Sequence, residues 1–236
     1  MNLISKRLFA SSESKTLVEL FYDVVSPYTY LQFMLLRRQR SQWKSMQLKF
    51  TPVSIANIMK GSENNPPMMN PSKGRYAYKD LKYLATYHNI RFELPENFAD
   101  FVFSIGTIDT QRFLLSLERN SSSEFYEKTI EAFFTNFFTA KSCNINDKDV
   151  MHRIAIGDAG VPQDIVEKCL SEIKKEEIKT ILKENTKRVV DLGGFGLPIT
   201  LLHTTTKNKP EWIFGSDRLH LIGYLLGEDS PPILRE

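Results

Sequence analysis

The chain has 236 residues, 42% hydrophobic and 25% charged, with 31 basic and 28 acidic side chains and a net charge of +3. That balance excludes a disordered, collagen-like or coiled-coil chain, and it lacks the strong basic excess of a nucleic-acid binder. Two cysteines, Cys143 and Cys169, are too few for a disulfide framework, which suits an intracellular protein, and no stretch approaches the roughly 18 apolar residues of a membrane span.

The first fifteen residues are serine-rich and carry Lys6, Arg7 and Lys15 against one acid, Glu13. They read equally as a short mitochondrial presequence and as a frayed tail. Residues 17–22 form a short apolar and β-branched run, which predicts a buried strand. Ser26-Pro27 follows, a capping residue and then proline, and predicts a helix starting there. Arg37, Arg38 and Arg40 fall near its end, where cations oppose the negative end of the helix dipole. A second strand is expected over 46–53.

Beyond it the period changes for more than a hundred residues. Segments 79–88, 99–106, 110–118, 124–138, 148–159 and 162–185 place apolar residues at helical spacing. In 124–138 the rings of Phe125, Tyr126, Phe133, Phe134, Phe137 and Phe138 recur at three- and four-residue steps. That is the face of a core helix; no basic residues interleave as a base-stacking platform requires. Strand character returns at 199–203 and 212–214, joined by a turn-prone stretch that suggests a hairpin, and a last helix is expected over 218–226, stopping at Gly227. The order is βαβ, a long helical block, then ββα. An α/β fold follows: a thioredoxin-like domain from 16–56 and 190–228, interrupted by a large all-helical insertion at 57–189, with 1–15 as a candidate targeting segment.

Three segments can carry chemistry. Ser26-Pro27-Tyr28-Thr29 occupies the strand-to-helix junction where thioredoxin-like folds keep Cys-x-x-Cys, because a helix amino terminus stabilises a thiolate. Hydroxyls stand at both cysteine positions, so dithiol exchange is excluded there. What remains is a cap, or a hydroxyl donor for another molecule's thiolate. Gly193 to Thr200 is a glycine-rich turn running through Leu197-Pro198 into a strand; a cis bond before Pro198 would turn the Leu197 amide outward, but such bonds are a minority. The segment precedes a strand and has no Gly-Lys-Ser/Thr, so it is not a phosphate loop. Gly215-Ser216-Asp217 offers amides, a hydroxyl and a carboxylate that suit either an α-amino acid group or a plain helix cap. Asn64 is assigned to a loop, Lys73 to a solvated loop position, and 174–177 to a solvated helix face. The four histidines (His88, His152, His203, His220) are scattered, so no metal site is expected, and both cysteines read as ordinary buried thiols.

Tyr22-Asp23-Val24-Val25-Ser26-Pro27-Tyr28-Thr29-Tyr30, Gly194-Phe195-Gly196-Leu197-Pro198-Ile199-Thr200 and Phe214-Gly215-Ser216-Asp217-Arg218-Leu219 together resemble the signatures of kappa-class glutathione transferases. Residues 58–60, 64–67 and Lys73-Gly74 add to the likeness, which runs from about residue 17 to about 228. The resemblance implies a thioredoxin-like domain with a helical insertion of the bacterial DsbA type. It also implies a homodimer that uses glutathione as cosubstrate, with no permanently bound cofactor. It makes Ser26 the catalytic residue, its hydroxyl on the glutathione sulfur. Pro27, Tyr28, Asn64, Leu197 and Pro198 become glutathione contacts, and Ser216 and Asp217 hold the γ-glutamyl group. The implied reaction joins glutathione to small electrophiles, with glutathione-dependent peroxide reduction beside it. The alternatives are an isomerase of the 2-hydroxychromene-2-carboxylate type and a non-catalytic glutathione-binding scaffold. Family members occur in mitochondria and peroxisomes. The extended amino terminus and the absence of a peroxisomal carboxyl-terminal tripeptide favour the mitochondrial matrix.

Overall fold

The computed structural model describes residues 15–139, 144–203 and 210–228. Four strands, β1 (Thr16–Tyr22), β2 (Met46–Pro52), β3 (Ile199–His203) and β4 (Glu211–Phe214), form one sheet in the order β2-β1-β3-β4. β1 and β2 are parallel, with Leu20 opposite Phe50, because helix α1 (Pro27–Gln39) carries the chain back between them. β3 runs antiparallel to both β1 and β4. The expected turn between β3 and β4 lies, over residues 204–209, outside the described residues, as do residues 1–14 of the candidate targeting segment 1–15 and Cys143.

β1 is the second strand of the sheet and is covered on both faces, which is why its sequence is a nearly unbroken apolar run. Val18, Leu20 and Tyr22 join the main core; Phe21 joins a second cluster with Val189, Leu197 and Ile199 on the opposite face. Ser26 caps α1 and Pro27 is its first residue, as the sequence predicts. α2 (Ile55–Gly61), α3 (Pro71–Tyr87), α4 (Phe98–Asp100), α5 (Ile108–Asn120), α6 (Ser123–Thr139), α7 (Lys148–Arg153), α8 (Gln163–Glu172) and α9 (Glu176–Asp191) follow before the chain re-enters the sheet, and α10 (Leu219–Leu226) closes it. The aromatic face of α6 is core: Phe133, Phe134, Phe137 and Phe138 are fully buried. Tyr30 of α1 stacks on Phe134 and Phe138 at 5.4 and 5.5 Å. Such ring pairs add about 0.5–1.5 kcal/mol beyond their buried area. Among the described residues no helix is long and apolar enough to cross a membrane.

The structure corrects the sequence reading in four places. Lys73 is not in a loop: it is an exposed residue in the first turn of α3, whose start is Asn70 capping the amides of Ser72 and Lys73 with Pro71 at the first position. α2 was not anticipated, although Ser54 accepts from the Asn57 amide as an ordinary cap. The segment 162–185 is two helices, and the exposed 174–177 run is not one helical face: Lys174 and Lys175 lie in the turn between them, and Glu176 and Glu177 open α9. Segments 99–106 and 148–159 are each part α-helix and part π-helical turn, over Phe101–Ile105 and Ile154–Asp158.

One charged cluster sits inside the sheet. Glu19, in the middle of β1, is 1% exposed, and its carboxylate accepts from Thr51 Oγ1 (2.6 Å), Arg188 Nη1 (3.2 Å) and Nη2 (2.8 Å). His203 Nε2 lies 2.8 Å from it. Burial raises the carboxyl's pKa, but the bonds from Arg188, Thr51 and His203 outweigh it and hold the group at about 2. His203 is thus a structural residue, as expected from its isolation in the sequence.

Candidate functional site

The site begins at the carboxyl end of β1. The chain leaves the strand at Tyr22, turns over Asp23, Val24 and Val25, and enters α1 at Ser26. Asp23 fixes that turn. Its buried carboxylate accepts from the Val25 amide (3.3 Å), the Ile55 amide (2.9 Å) and Thr107 Oγ1 (2.7 Å), and its carbonyl accepts from the Ser26 amide at 2.9 Å. One side chain therefore joins the β1–α1 turn to the start of α2 and to the residue before α5. Burial pushes the Asp23 carboxyl up to about 6, against the pull of those three donors. Because the folded value exceeds the unfolded one, Asp23 favours the fold most below about pH 4 and loses that contribution as pH rises through 6. Asp23 lies within the Tyr22–Tyr30 signature, which gives it no role of its own; its place at the end of a buried strand is the signal that could have found it.

Ser26 is 3% exposed and faces a cleft of about 1220 Å³. Its Oγ accepts from the Thr29 amide at 3.3 Å and from Thr29 Oγ1 at 2.7 Å. The positive end of α1 points at the same place. Next to it, Tyr28 donates its hydroxyl to Asp80 Oδ2 of α3 at 2.9 Å. Burial and the neighbouring carboxylate push that phenol well above its ordinary range, so it stays a neutral donor.

The opposite wall comes from the far end of the chain. The Leu197–Pro198 peptide is cis, and the Gly215 amide donates to the Pro198 carbonyl at 3.0 Å, which brings the Gly215-Ser216-Asp217 turn against that bend. Gly215 has φ +91°, a conformation that side-chain-bearing residues rarely adopt, and a Cβ there would meet Asp217 Oδ1 at 2.7 Å. Gly194 answers a different demand: a Cβ on it would lie 2.4 Å from Ile199 and 2.8 Å from the Val189 carbonyl, so only glycine lets α9 lie this close to the bend. Ser216 Oγ is buried and has no hydrogen-bond partner among the described residues, while Asp217 is exposed and paired with Arg218 at 2.7 Å. Asn64 donates to the Phe195 carbonyl at 2.7 Å and so ties the loop after α2 to the glycine-rich turn.

Ser26, Pro27, Tyr28, Asn64, Leu197, Ser216 and Asp217 all line this one cleft, although they come from widely separated parts of the chain. Pro198 does not line it; it shapes the bend from behind. The rest of the wall is apolar and aromatic, with Met59, Leu81, Leu84, Phe98, Phe101 and Val102 among it, and Lys60, Arg75 and Arg218 add positive charge. A polar end beside a large apolar end is the arrangement of a site that fixes one polar molecule and accommodates a greasy second one. Sequence reading missed the apolar wall, because α3 to α5 present it only once folded.

Known proteins resemble this chain over most of its length. The model of the DSBA-like thioredoxin domain matches residues 17–227. The glutathione S-transferase kappa 1 proteins of Rattus norvegicus and Homo sapiens are each 34% identical over 211 residues, covering 89% of this chain and 91% of theirs. Among solved structures, a 2-hydroxychromene-2-carboxylate isomerase superposes with a TM-score of 0.69 at 16% identity, covering 89% of this chain and 94% of its own. At that identity the likeness is one of fold.

Proposed function

The chain belongs to the DSBA-like thioredoxin domain family and is a glutathione transferase of the kappa class, and from that premise we propose that it binds glutathione across the cleft and delivers its thiolate to small apolar electrophiles. The observation that carries the reading is Ser26 Oγ, buried at the amino terminus of α1 on the cleft wall with both lone pairs already occupied. It has one O–H left to give, and a thiolate is the acceptor that a helix amino terminus favours.

The magnitudes are adequate. A free thiol near pKa 8.5 is mostly protonated at neutral pH, and each unit of depression needs about 1.4 kcal/mol. A hydrogen bond to the charged sulfur supplies roughly 1.5–3 kcal/mol and the helix end about 0.3–1. Part of this offsets the loss of hydration on burial, leaving one to two units, enough to make thiolate a major species. The thiolate sulfur forms a bond to an electrophilic carbon as a halide leaves that carbon, or attacks a peroxide oxygen, breaking the O–O bond to release an alcohol and leaving a glutathione sulfenic acid that a second glutathione converts to the disulfide and water; Ser26 remains unmodified throughout. No permanently bound cofactor is needed for this chemistry.

At the other end of the tripeptide, Ser216 and Asp217 hold the γ-glutamyl group, Pro27, Tyr28, Asn64 and Leu197 make the remaining contacts, and the apolar wall receives the electrophile. The unpartnered, buried Ser216 hydroxyl supports this, because a buried hydroxyl without a partner loses about 1–3 kcal/mol that a ligand can restore. Assembly as a homodimer and a mitochondrial matrix address, the latter from the basic, serine-rich amino terminus, belong to the same proposal. Calorimetric titration with reduced glutathione tests it: saturable binding is expected, weakened about three- to tenfold by Ser216→Ala. Absence of binding, or an unchanged affinity in the variant, counts against it.

A further inference from the structure

Thr29 stands at the second hydroxyl position of Ser26-Pro27-Tyr28-Thr29, where the sequence offered no role beyond the loss of a sulfur. It is fully buried, and Ser26 Oγ is the partner of its hydroxyl, 2.7 Å away. Two hydroxyls this close share one proton between them, and their surroundings decide which gives. If Ser26 donated to Thr29, the Thr29 proton would be left in the core without an acceptor among the described residues, an arrangement that buried hydroxyls avoid. If Thr29 donates, its proton is satisfied and the Ser26 proton is free, but Ser26 lines the cleft and can hand that proton to a ligand. The Thr29 amide takes the other lone pair of the same oxygen. A hydroxyl accepting two bonds is also a stronger donor, because chains of hydrogen bonds polarise one another.

We propose that Thr29 is a positioning residue: its buried hydroxyl donates to Ser26 Oγ and thereby commits the Ser26 proton to the sulfur bound in the cleft. The inference rests on the reading of Ser26 as the thiolate's donor and adds the residue that orients it. Thr29 touches neither glutathione nor electrophile; it acts through Ser26 alone. The pair Ser26/Thr29 is thus a donor relay occupying the two positions where a dithiol would sit.

The test is a double-mutant cycle read by the ultraviolet absorbance of the bound thiolate as a function of pH. Thr29→Val keeps the shape and removes the hydroxyl; Thr29→Ser keeps the hydroxyl and is the rescue variant. Thr29→Val is expected to move the bound thiol's pKa up by about half a unit, roughly a threefold loss of thiolate below the pKa, with glutathione affinity measured well below that pKa, where the bound sulfur is protonated, unchanged. Thr29→Ser is expected to titrate as the wild type. In a Ser26→Ala background, Thr29→Val is expected to change nothing further, since its route to the sulfur is gone. A shift for Ser26→Ala with none for Thr29→Val overturns this inference and leaves the reading of Ser26 standing. The same further shift in the Ser26→Ala background overturns it too, and no shift in either single variant overturns both. Should Thr29→Val fail to fold, Thr29→Ala against Thr29→Ser gives the same contrast.

Discussion

Ser26→Ala is expected to raise the pKa of bound glutathione's thiol by one to two pH units and to lower the conjugation rate at neutral pH by about ten- to a hundredfold. The size follows from one hydrogen bond to a charged group, roughly 1.5–3 kcal/mol, converted at about 1.4 kcal/mol per tenfold. The loss is expected in kcat/KM with little change in glutathione affinity at low pH, where the bound sulfur is protonated, because the bond is made to the thiolate and not to the rest of the tripeptide. Raising the pH through the new pKa is expected to restore most of the rate, which separates an electrostatic defect from a folding one. Ser26 is also the cap of α1, so the variant loses about 1 kcal/mol of stability, some 2–4 °C in melting temperature. Full rate and an unshifted thiol in the alanine variant would remove Ser26 from the mechanism.

Glu19→Gln is expected to destabilise the protein by as much as ~3 kcal/mol at pH 7, with the difference from wild type vanishing near pH 2. The folded carboxyl titrates at about 2 and the unfolded one near its ordinary 4.5. A folded pKa depressed below the unfolded one contributes stability that is present above 4.5 and lost as pH falls toward 2. Glutamine keeps the volume but cannot serve Arg188, Thr51 and His203 at once, and the guanidinium is left beside a neutral partner. Urea unfolding of wild type and variant at a series of pH values reads the difference directly. Comparing the two proteins cancels the opposite trend that Asp23 imposes between about pH 4 and 6. A difference that persists unchanged down to pH 2 would show that the cluster acts by packing and not by charge.

How much of this the sequence disclosed depended on whether the physical signal was local. The Ser26-Pro27 helix start, the buried run of β1, the aromatic face of α6 and the stop at Gly227 are each written in a few consecutive residues, and the structure shows them where the pattern puts them. Asn70-Pro71 carries the same signature as Ser26-Pro27, yet it sits behind a Pro-Pro pair that reads as loop, which hid the first two turns of α3. Three turn residues between α8 and α9 leave the apolar period almost unbroken, so two helices look like one. The hydroxyls and glycines of the cleft were legible as types at fixed offsets. What could not be read was long-range pairing: Glu19 looks like the polar interruption of a strand until Arg188, 169 positions away, meets it. Asp23 looks like turn filler until Thr107 and Ile55 reach it. Thr29 looks like a neutral replacement until its fully buried position shows that Ser26 must take its proton.

A crystal structure of the full chain grown with reduced glutathione tests the central claim most directly. The account predicts the cysteinyl sulfur within about 3.5 Å of Ser26 Oγ, at the mouth of α1, and the γ-glutamyl group on the Ser216-Asp217 turn. Density for the tripeptide elsewhere, or in this cleft with its sulfur turned away from Ser26, would contradict it.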